Sequence, residues 1–338
     1  MSLAKPSATI TLDGDSFTAA EAGLVSARVD LGFNSHDRVQ LNLWPQSRLA
    51  SASPGAELSL RLSLEADSGG LLAAVPGLGG SSGGDSLWTG TVQSIHSGAD
   101  FVTLMGLSST ASLSDMRRSQ SWADMSVGDI VSDMAGDLSS EVEADLTLSS
   151  YCIDNTRTIW SYLYELAQLA GAELSCAGDG GVRFILASKE SGTTELRYGA
   201  DLIDWRLSRN LALAPVGAAE HGAASSAGSD KWHWLAHDPV GAGGEPARVP
   251  AAFHSRDAAS AFTDAANARA QRAQLRGDIW LGGRPELRPG SWVELKDLPQ
   301  GDSGPLRVHA VTHQLDGDNG FITALRVEGS GGGGGLSL

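Results

Sequence analysis

The stretch Glu57-Leu58-Ser59-Leu60-Arg61-Leu62-Ser63-Leu64 carries leucine at every second position, with a polar or charged residue before each one. Successive side chains of a β-strand point to opposite faces, so this spacing predicts a strand with one apolar face and one face in water. Similar short alternating segments, separated by Gly, Pro, Ser and Asp, surround it. Further strands are predicted at 8–12, 25–31, 38–44, 87–97 and 101–107. The N-terminal third therefore predicts an antiparallel β module.

The pattern changes after this module. Residues 126–134 and 156–170 space their apolar residues three and four apart, which is typical of amphipathic helices. In the second segment the helix is expected to end at Gly171, a residue suited to a C-cap. A strand pair at 173–176 and 182–186 follows. These elements predict a small α/β insert.

Strand patterns return near the C-terminus, at 194–197, 202–210, 278–281, 292–295, 306–315 and 321–327. A helix is predicted over 257–275 from its content of Ala, Gln and Arg, which lose little entropy in helices. The last four strands make a thin core, so we expect the second β module to include the strand at 202–210. The Gly-rich run 77–84 is expected to be a hairpin loop.

The predicted domain map has five parts. A first tube-like β-barrel occupies 1–109, an inserted α/β domain 110–192, and a second tube-like β-barrel 193–213 plus 276–328. A smaller insert with one helix occupies 214–275, and a flexible Gly-rich tail 329–338.

Composition excludes several classes of protein. The chain has 338 residues and is 41% hydrophobic, which is enough for two or more packed cores. Its 24 Lys and Arg against 40 Asp and Glu give a net charge of -16, which argues against specific nucleic-acid binding or membrane binding. Cys152 and Cys176 form no CxxC motif. No apolar run approaches a bilayer span and no signal peptide is evident, so we expect folding in the cytoplasm.

Two histidine pairs have a four-residue spacing that is compatible with metal ligation on a helix. His233 and His237 lie four residues apart, a spacing that aligns two imidazoles on a helix, but the surrounding tryptophans and glycines favour strand or loop. His309 and His313 lie in a predicted strand, where they would share one face and find ordinary partners. No metal site is predicted.

Carboxylates were weighed in the same way. Asp201 and Asp204 are adjacent strand-end residues rather than acids opposed across a cleft, so we interpret them as turn residues and surface charge. The run 316–320 (DGDNG) lacks the spacing of an EF-hand and predicts a hairpin turn. Hydrolase signatures are absent from the sequence. The sequence therefore predicts a structural protein rather than an enzyme.

Several short stretches, in order, resemble the late control D family of contractile-tail baseplate hubs. In the first β module they are 24–30 (LVSARVD), 37–41 (DRVQL) and 87–95 (LWTGTVQSI). In the insert they are 125–131 (MSVGDIV), 158–167 (TIWSYLYELA) and 170–172 (AGA). In the second β module they are 287–295 (LRPGSWVEL), 306–313 (LRVHAVTH) and 320–325 (GFITAL). Their order and spacing over about 300 residues carry the resemblance.

The resemblance implies a mainly β chain with α+β inserts, whose two tube-like antiparallel β-barrels assemble as a trimer with pseudo-sixfold symmetry. The implied function is that of a structural baseplate hub in a contractile phage tail, tailocin or extracellular injection system. The hub would adapt the sixfold tail tube to the threefold central spike. Two similar strand-rich modules per chain suit this symmetry, because closed rings need one repeated interface. The acidic balance would suit a lumen that repels DNA or acidic cargo.

The implied partners are further copies of the chain, a trimeric spike protein, and a tail tube or tube-initiator protein. Tape measure and baseplate wedge proteins are further candidates. No cofactor, metal, nucleic acid or membrane is implied, and assembly in the bacterial cytoplasm would precede incorporation into a virion or phage-tail-like particle. Related hub-spike fusions of type VI secretion continue into a needle, whereas this sequence stops at a glycine tail, so the spike is expected to be a separate polypeptide.

Two other functions remain open from the sequence. A tail-associated cell-wall hydrolase would need a catalytic carboxylate or metal constellation. A carbohydrate-binding module could use some of the nine tryptophans, because aromatic faces stack on sugar rings, although core packing is their commoner use.

Overall fold

The structure is a computed structural model that describes residues 5–65, 86–186, 192–211, 217–219, 239–240, 246–247 and 256–330. The N-terminal strands are β1 (Lys5–Leu12), β2 (Asp15–Thr18), β3 (Leu24–Gly32), β4 (Arg38–Leu43), β5 (Glu57–Glu65), β6 (Trp88–Ser97) and β7 (Val102–Ser108). The strands predicted in this region are present, and β2 is additional. In β5 the leucines at 58, 60 and 62 are buried and Arg61 is exposed, which confirms the alternation.

The middle of the chain contains two of the helices. Its elements are β8 (Gln120–Ser126), α1 (Val127–Ala135), β9 (Ser140–Val142), β10 (Thr147–Ile153), α2 (Ile159–Ala170), β11 (Ala172–Cys176) and β12 (Val182–Leu186). Ser126 caps α1 by accepting a hydrogen bond from the backbone N–H of Asp129 (3.0 Å). Gly171 ends α2 with a φ of +68°, as predicted. The strands β8, β9 and β10 were not predicted.

The C-terminal elements are β13 (Thr193–Arg197), β14 (Leu202–Arg209), β15 (Gly217–Ala219), β16 (Pro239–Val240), β17 (Pro246–Ala247), α3 (Arg256–Arg272), β18 (Leu275–Gly282), β19 (Trp292–Lys296), β20 (Pro305–Asp316) and β21 (Gly320–Gly329). The predicted helix end at 275 is wrong, because Leu275 already pairs with Arg209 in the sheet. Gly329, the first residue of the predicted tail, pairs with Leu306 in the sheet. The 77–84 loop and residues 331–338 lie outside the described residues.

Strands from both predicted β modules belong to one sheet of thirteen strands, which confirms that the fold is mainly β. The sheet is curled into a half-barrel. Its main path runs β14-β18-β21-β20-β3-β4-β7-β6-β5-β1-β2, and β19 and β13 branch from β20. Antiparallel pairing of β20 with β3 joins the two ends of the chain, from Ala310 opposite Gly32 to Asp316 opposite Ser26. One continuous hydrophobic core lies against this sheet. Two separate closed barrels stay a prediction.

The large sheet contains an internal repeat of five strands. In chain order β3, β4, β5, β6 and β7 are arranged side by side as 3-4-7-6-5, and β14, β18, β19, β20 and β21 are arranged as 14-18-21-20-19. The two sets have the same order: first, second, fifth, fourth, third. We call them the first half-sheet and the second half-sheet. Within the chain, the joint between them is the β20–β3 pairing.

Two β-bulges support the repeat. The first strand of each half-sheet has an irregularity near its start, between Leu24 and Ser26 in β3 and between Leu202 and Asp204 in β14. The fourth strand of each has another, at Gln93 in β6 and at a single residue between Val308 and Ala310 in β20. Bulges re-aim side chains and fix register, so matching ones identify equivalent positions.

The cross-strand neighbours agree with this alignment. In the first half-sheet Arg28 lies opposite Gln40, Gln40 opposite Met105, and Met105 opposite Ser94. In the second half-sheet the corresponding series is Arg206, Asp278, Arg326 and Ala310. Each series starts three residues after the first bulge residue and ends at the residue directly after the second bulge residue. The two bulges therefore give one consistent correspondence across four strands.

A second hydrophobic core belongs to the middle of the chain, where α1 and α2 pack with β8, β10, β11 and β12. The helix α3 also contributes to it through Ala258, and Arg269 donates a hydrogen bond to the backbone oxygen of Gln168 in α2 (3.1 Å). Residues outside 110–192 in sequence therefore share this core. The domain boundaries themselves stay predictions.

A buried ion-pair network fastens this second core to the large sheet. Arg307 of β20 is fully buried and donates to the carboxylate of Glu173 in β11. Arg272, at the end of α3, lies 3.9 Å from the same carboxylate and 2.9 Å from Glu328 of β21. Four charged side chains from four elements therefore meet with little access to water.

Candidate assembly surfaces

The two weighed histidines of β20 lie in different environments. The prediction that they share a face is wrong, because the bulge at His309 reverses the alternation between it and His313. His313 is fully buried beside the core, where its ring nitrogens lie 3.0 Å from Thr323 Oγ1 and 3.3 Å from the Leu287 carbonyl. Burial lowers the pKa of His313 to about 3. The ring of His309 instead packs edge-on against Phe33.

The weighed aspartates have ordinary structural partners. Asp201 accepts hydrogen bonds from the Arg197 backbone N–H (2.8 Å) and from Arg284 (3.0 Å), whereas Asp204 accepts from the N–H of Trp205. Asp316 accepts from the backbone N–H groups at 318 and 319, which confirms the predicted turn between β20 and β21. Their geometry is that of turns and surface ion pairs.

His233 and His237 lie outside the described residues. Within the described ranges, no group of three His, Cys, Asp or Glu side chains could hold a metal ion. Cys152 is exposed and Cys176 is buried, and neither forms a disulfide. Among the helices that the structure describes, none has the length and apolar character needed to cross a bilayer.

The face of the large sheet opposite its core is polar and centred on Asp30. Its carboxylate accepts hydrogen bonds from Arg28 (2.9 Å), from Arg38 (3.0 Å) and, across the β20–β3 joint, from the hydroxyl of Thr312 (2.7 Å). Burial would raise the pKa of Asp30, but these hydrogen bonds outweigh it and hold the pKa below its ordinary value. A cluster of charged, hydrogen-bonded side chains therefore bridges the β20–β3 joint on this face.

A groove of about 580 Å³ opens on this face. Its lining includes small residues that are cross-strand neighbours, Gly32 opposite Ala310 and Thr312 opposite Ala324. The Asp30 cluster lies on one side, and Trp280 belongs to the lining from β18. The groove forms because the side chains at its centre are small and those on either side of it are large.

This polar face is not acidic. By cross-strand register, β3, β4, β14, β18 and β21 together carry five arginines, three aspartates and one glutamate on it: Arg28, Arg38, Arg206, Arg276, Arg326, Asp30, Asp204, Asp278 and Glu328. The chain as a whole has a net charge of -16, so its acidic excess lies elsewhere. The expectation of an acidic lumen stays a prediction.

Among the described residues, the first strand of the second half-sheet and the fourth strand of the first half-sheet each have an edge with no strand beside it. One is the outer edge of β14, which pairs only with β18. The other is the end of β6 after its bulge. On one side β6 pairs with β7 as far as Ser97, but on the other side it pairs with β5 only over 88–91. Open edges present unpaired N–H and C=O groups and are sites of strand addition.

Large apolar side chains lie exposed near the β14 edge. Ile203 in β14 is 61% exposed, and Leu211, two residues beyond the strand, is 93% exposed. Tyr198 packs edge-on against Trp205 at 4.9 Å between ring centres. Sequence reasoning did not single out these residues, although an apolar residue directly after a strand was a usable signal. The edge therefore combines open hydrogen-bonding groups with apolar surface.

No protein-family model matches the sequence, and no curated protein matches it significantly. Solved structures do share its fold. The tail protein from Neisseria meningitidis MC58 has a TM-score of 0.70 with 15% identity, over 97% of both chains. The 43 kDa tail protein of prophage MuSo2 from Shewanella oneidensis has a TM-score of 0.68 with 13% identity, over 96% of this chain and 98% of that one.

A third similar structure is an Escherichia coli component of the type VI secretion system, described as similar to the T4 bacteriophage tail proteins gp27 and gp5. Its TM-score is 0.56 with 11% identity, over 94% of this chain and 76% of that one. At these identities the similarity establishes the fold, which spans nearly the whole chain. The chain therefore has the fold of phage tail proteins and of this secretion-system component.

Proposed function

We propose that the chain is a structural component of a contractile phage tail or phage-tail-like particle, and specifically its baseplate hub. In this proposal three copies form a ring of six half-sheets, which matches a sixfold tail tube on one side and a threefold spike on the other. The partners in this proposal are a trimeric spike protein and a tail tube or tube-initiator protein. The alternative particles are a phage tail, a tailocin and an extracellular injection system.

The internal repeat is the observation that carries the proposal. A chain with two half-sheets of the same strand order and matching bulges can offer two similar surfaces to a sixfold partner, although only three chains are present. The likeness to phage tail proteins supports the same role. The β20–β3 joint supplies one of the two kinds of contact that such a ring needs.

A structural role also fits the chemistry of the described residues. Each weighed histidine or carboxylate in these ranges has a turn, core or ion-pair partner. A cell-wall hydrolase would need acids with opposed environments across a cleft. Clearing of a bacterial cell-wall suspension by the purified chain would support that alternative instead.

The oligomeric state tests the proposal. Light scattering of the purified full chain should give the mass of three copies, and electron microscopy should show a ring with six similar lobes around a channel. Labelling of the chain in assembled particles should place it at the baseplate end. A chain that stays monomeric at all concentrations, with its spike partner present, would overturn the hub assignment.

A further inference from the structure

We propose that β6 of one protomer pairs antiparallel with β14 of a second copy, in the register that β20 and β3 already show within the chain. The inference rests on the proposed ring and names the surface that closes it. The partner is a second copy of this chain, and each copy offers one edge of each kind. Such a head-to-tail contact closes into a ring of three when each copy is rotated by one third of a turn relative to its neighbour.

By the internal repeat, the open edge of β6 is equivalent to the edge of β20 that pairs with β3, and the open edge of β14 is equivalent to the edge of β3 that pairs with β20. Within the chain, the fourth strand of the second half-sheet (β20) pairs with the first strand of the first half-sheet (β3). The remaining fourth strand is β6 and the remaining first strand is β14, and both have an open edge among the described residues. Pairing them repeats the same joint between chains.

The bulges transfer the register. Ser94 corresponds to Ala310 and Asp204 to Ser26, because each follows the matching bulge. Applying the β20–β3 register to these positions gives four cross-strand pairs: Ser94 with Asn210, Ile95 with Arg209, His96 with Ser208, and Ser97 with Leu207. The β6–β7 hairpin turns directly after Ser97, where Gly98 donates to the Phe101 carbonyl (2.9 Å). The joint between chains is therefore shorter than the one within the chain.

The chemistry of the paired positions fits. The Thr312–Asp30 hydrogen bond across the inner joint corresponds to His96 and Ser208, a second pair of hydrogen-bonding side chains. Leu211 corresponds to Phe33, which is buried and whose backbone N–H donates to the carbonyl of the bulge residue in β20. Strand addition would therefore cover an apolar residue that is otherwise 93% exposed.

The burial of apolar side chains at the β20–β3 joint and at the two open edges also supports this pairing. Val311 and Val29, on the core side of the inner joint, are 1% and 0% exposed. Their counterparts at the open edges, Ile95 and Leu207, pack against the same core but are only partly buried. Apolar side chains that lack a neighbouring strand keep contact with water, so pairing of the edges would complete the core.

Disulfide trapping tests the register. Directly opposite residues in antiparallel strands have Cα atoms about 4.5–5.5 Å apart, within the range that a disulfide spans. In a Cys152→Ser background, the pair His96→Cys and Ser208→Cys should link chains on oxidation, with a covalent trimer as the largest species. The pair His96→Cys and Arg206→Cys, shifted by two residues, should link at least tenfold less.

Two controls are needed to interpret the cross-linking result. The pair Thr312→Cys and Asp30→Cys occupies the equivalent positions of the inner joint and should close within one chain. Light scattering of each reduced variant reports whether it still forms trimers; where His96→Cys does not, the pair Ser94→Cys and Asn210→Cys replaces it. Monomers throughout, wild type included, would overturn the proposed ring itself. Trimers that link only in the shifted pair, or in neither, would overturn this joint and leave the hub assignment standing.

A substitution outside the hydrogen-bonded strands gives an independent measurement. Leu211→Asp should abolish the trimer at concentrations where the wild type is trimeric, because the charge would be buried at the joint. Tyr164→Asp, an exposed residue of α2, is the matched control and should leave the trimer intact. Intact trimers in the Leu211→Asp variant would contradict the placement of Leu211.

Discussion

Removing the carboxylate of Glu173 should strongly destabilise the protein. Arg307 is fully buried, and the Glu173 side chain is 10% exposed, so Glu173→Ala leaves a guanidinium in the interior without its carboxylate. Breaking a buried pair on one side costs about 3–5 kcal/mol. Arg272 keeps its 2.9 Å contact with Glu328, so only one of the two arginines loses its main anionic partner. The expected loss is therefore that of one buried pair.

The other variants at this site separate charge from packing. Glu173→Gln keeps an acceptor and loses only the charge, so its cost should fall below that of Glu173→Ala. The double variant Glu173→Leu and Arg307→Met removes both charges and keeps the volume, which is often close to neutral. Arg197→Ala removes an exposed pair with Asp297 and should leave stability unchanged.

Equilibrium urea unfolding followed by far-UV circular dichroism measures these differences. The reasoning requires the order Glu173→Ala, then Glu173→Gln, then the double variant, from most to least destabilised. Equal midpoints for Glu173→Ala and Arg197→Ala would refute it, because burial would then add nothing to the pair. A double variant as unstable as Glu173→Ala would show that packing, and not the orphaned charge, sets the cost.

Two further predictions concern the large sheet and its joint with the insert. Burial raises the pKa of Asp37 from its ordinary value of 3.8 to about 8. Between these two values the folded state binds more protons than the unfolded state, so stability falls as pH rises. The stability of the wild type relative to Asp37→Asn, measured by urea unfolding, should therefore decrease from pH 5 to pH 8; parallel curves would contradict the raised pKa. In β6, Gly90→Ala would place a Cβ 2.1 Å from the Leu107 carbonyl oxygen and should cost about 1–3 kcal/mol, whereas Gly317→Ala meets no atom within 4 Å and should change thermal stability little. Equal melting temperatures for the two glycine variants would show that β6 and β7 can separate at little cost.

Local patterns predicted most individual elements. The strand at 57–64 and the helix that ends at Gly171 follow from side-chain period and capping, which neighbouring residues decide. The strand β8 was missed because most of its residues are polar, and β9 was missed because it has only three residues. The end of α3 was misplaced, since pairing of Leu275 in the sheet overrides its helix propensity.

Long-range contacts decided the rest. The His309 bulge appears only when β20 is paired with β21, so the sequence alone placed His309 and His313 on one face. The Glu173–Arg307 pair joins residues from the insert and the second half-sheet, and neither pattern nor spacing links them.

The alternating leucines of β5 and the similar segments around it, together with the helical spacing at 126–134 and 156–170, determined by themselves that this chain is mainly β with a helical insert. Only the tertiary structure showed that its strands form one sheet with an internal repeat, and that β6 and β14 keep open edges. The reason is physical: alternation is a property of one strand, whereas strand order, register and edges arise from hydrogen bonds between residues far apart in the chain.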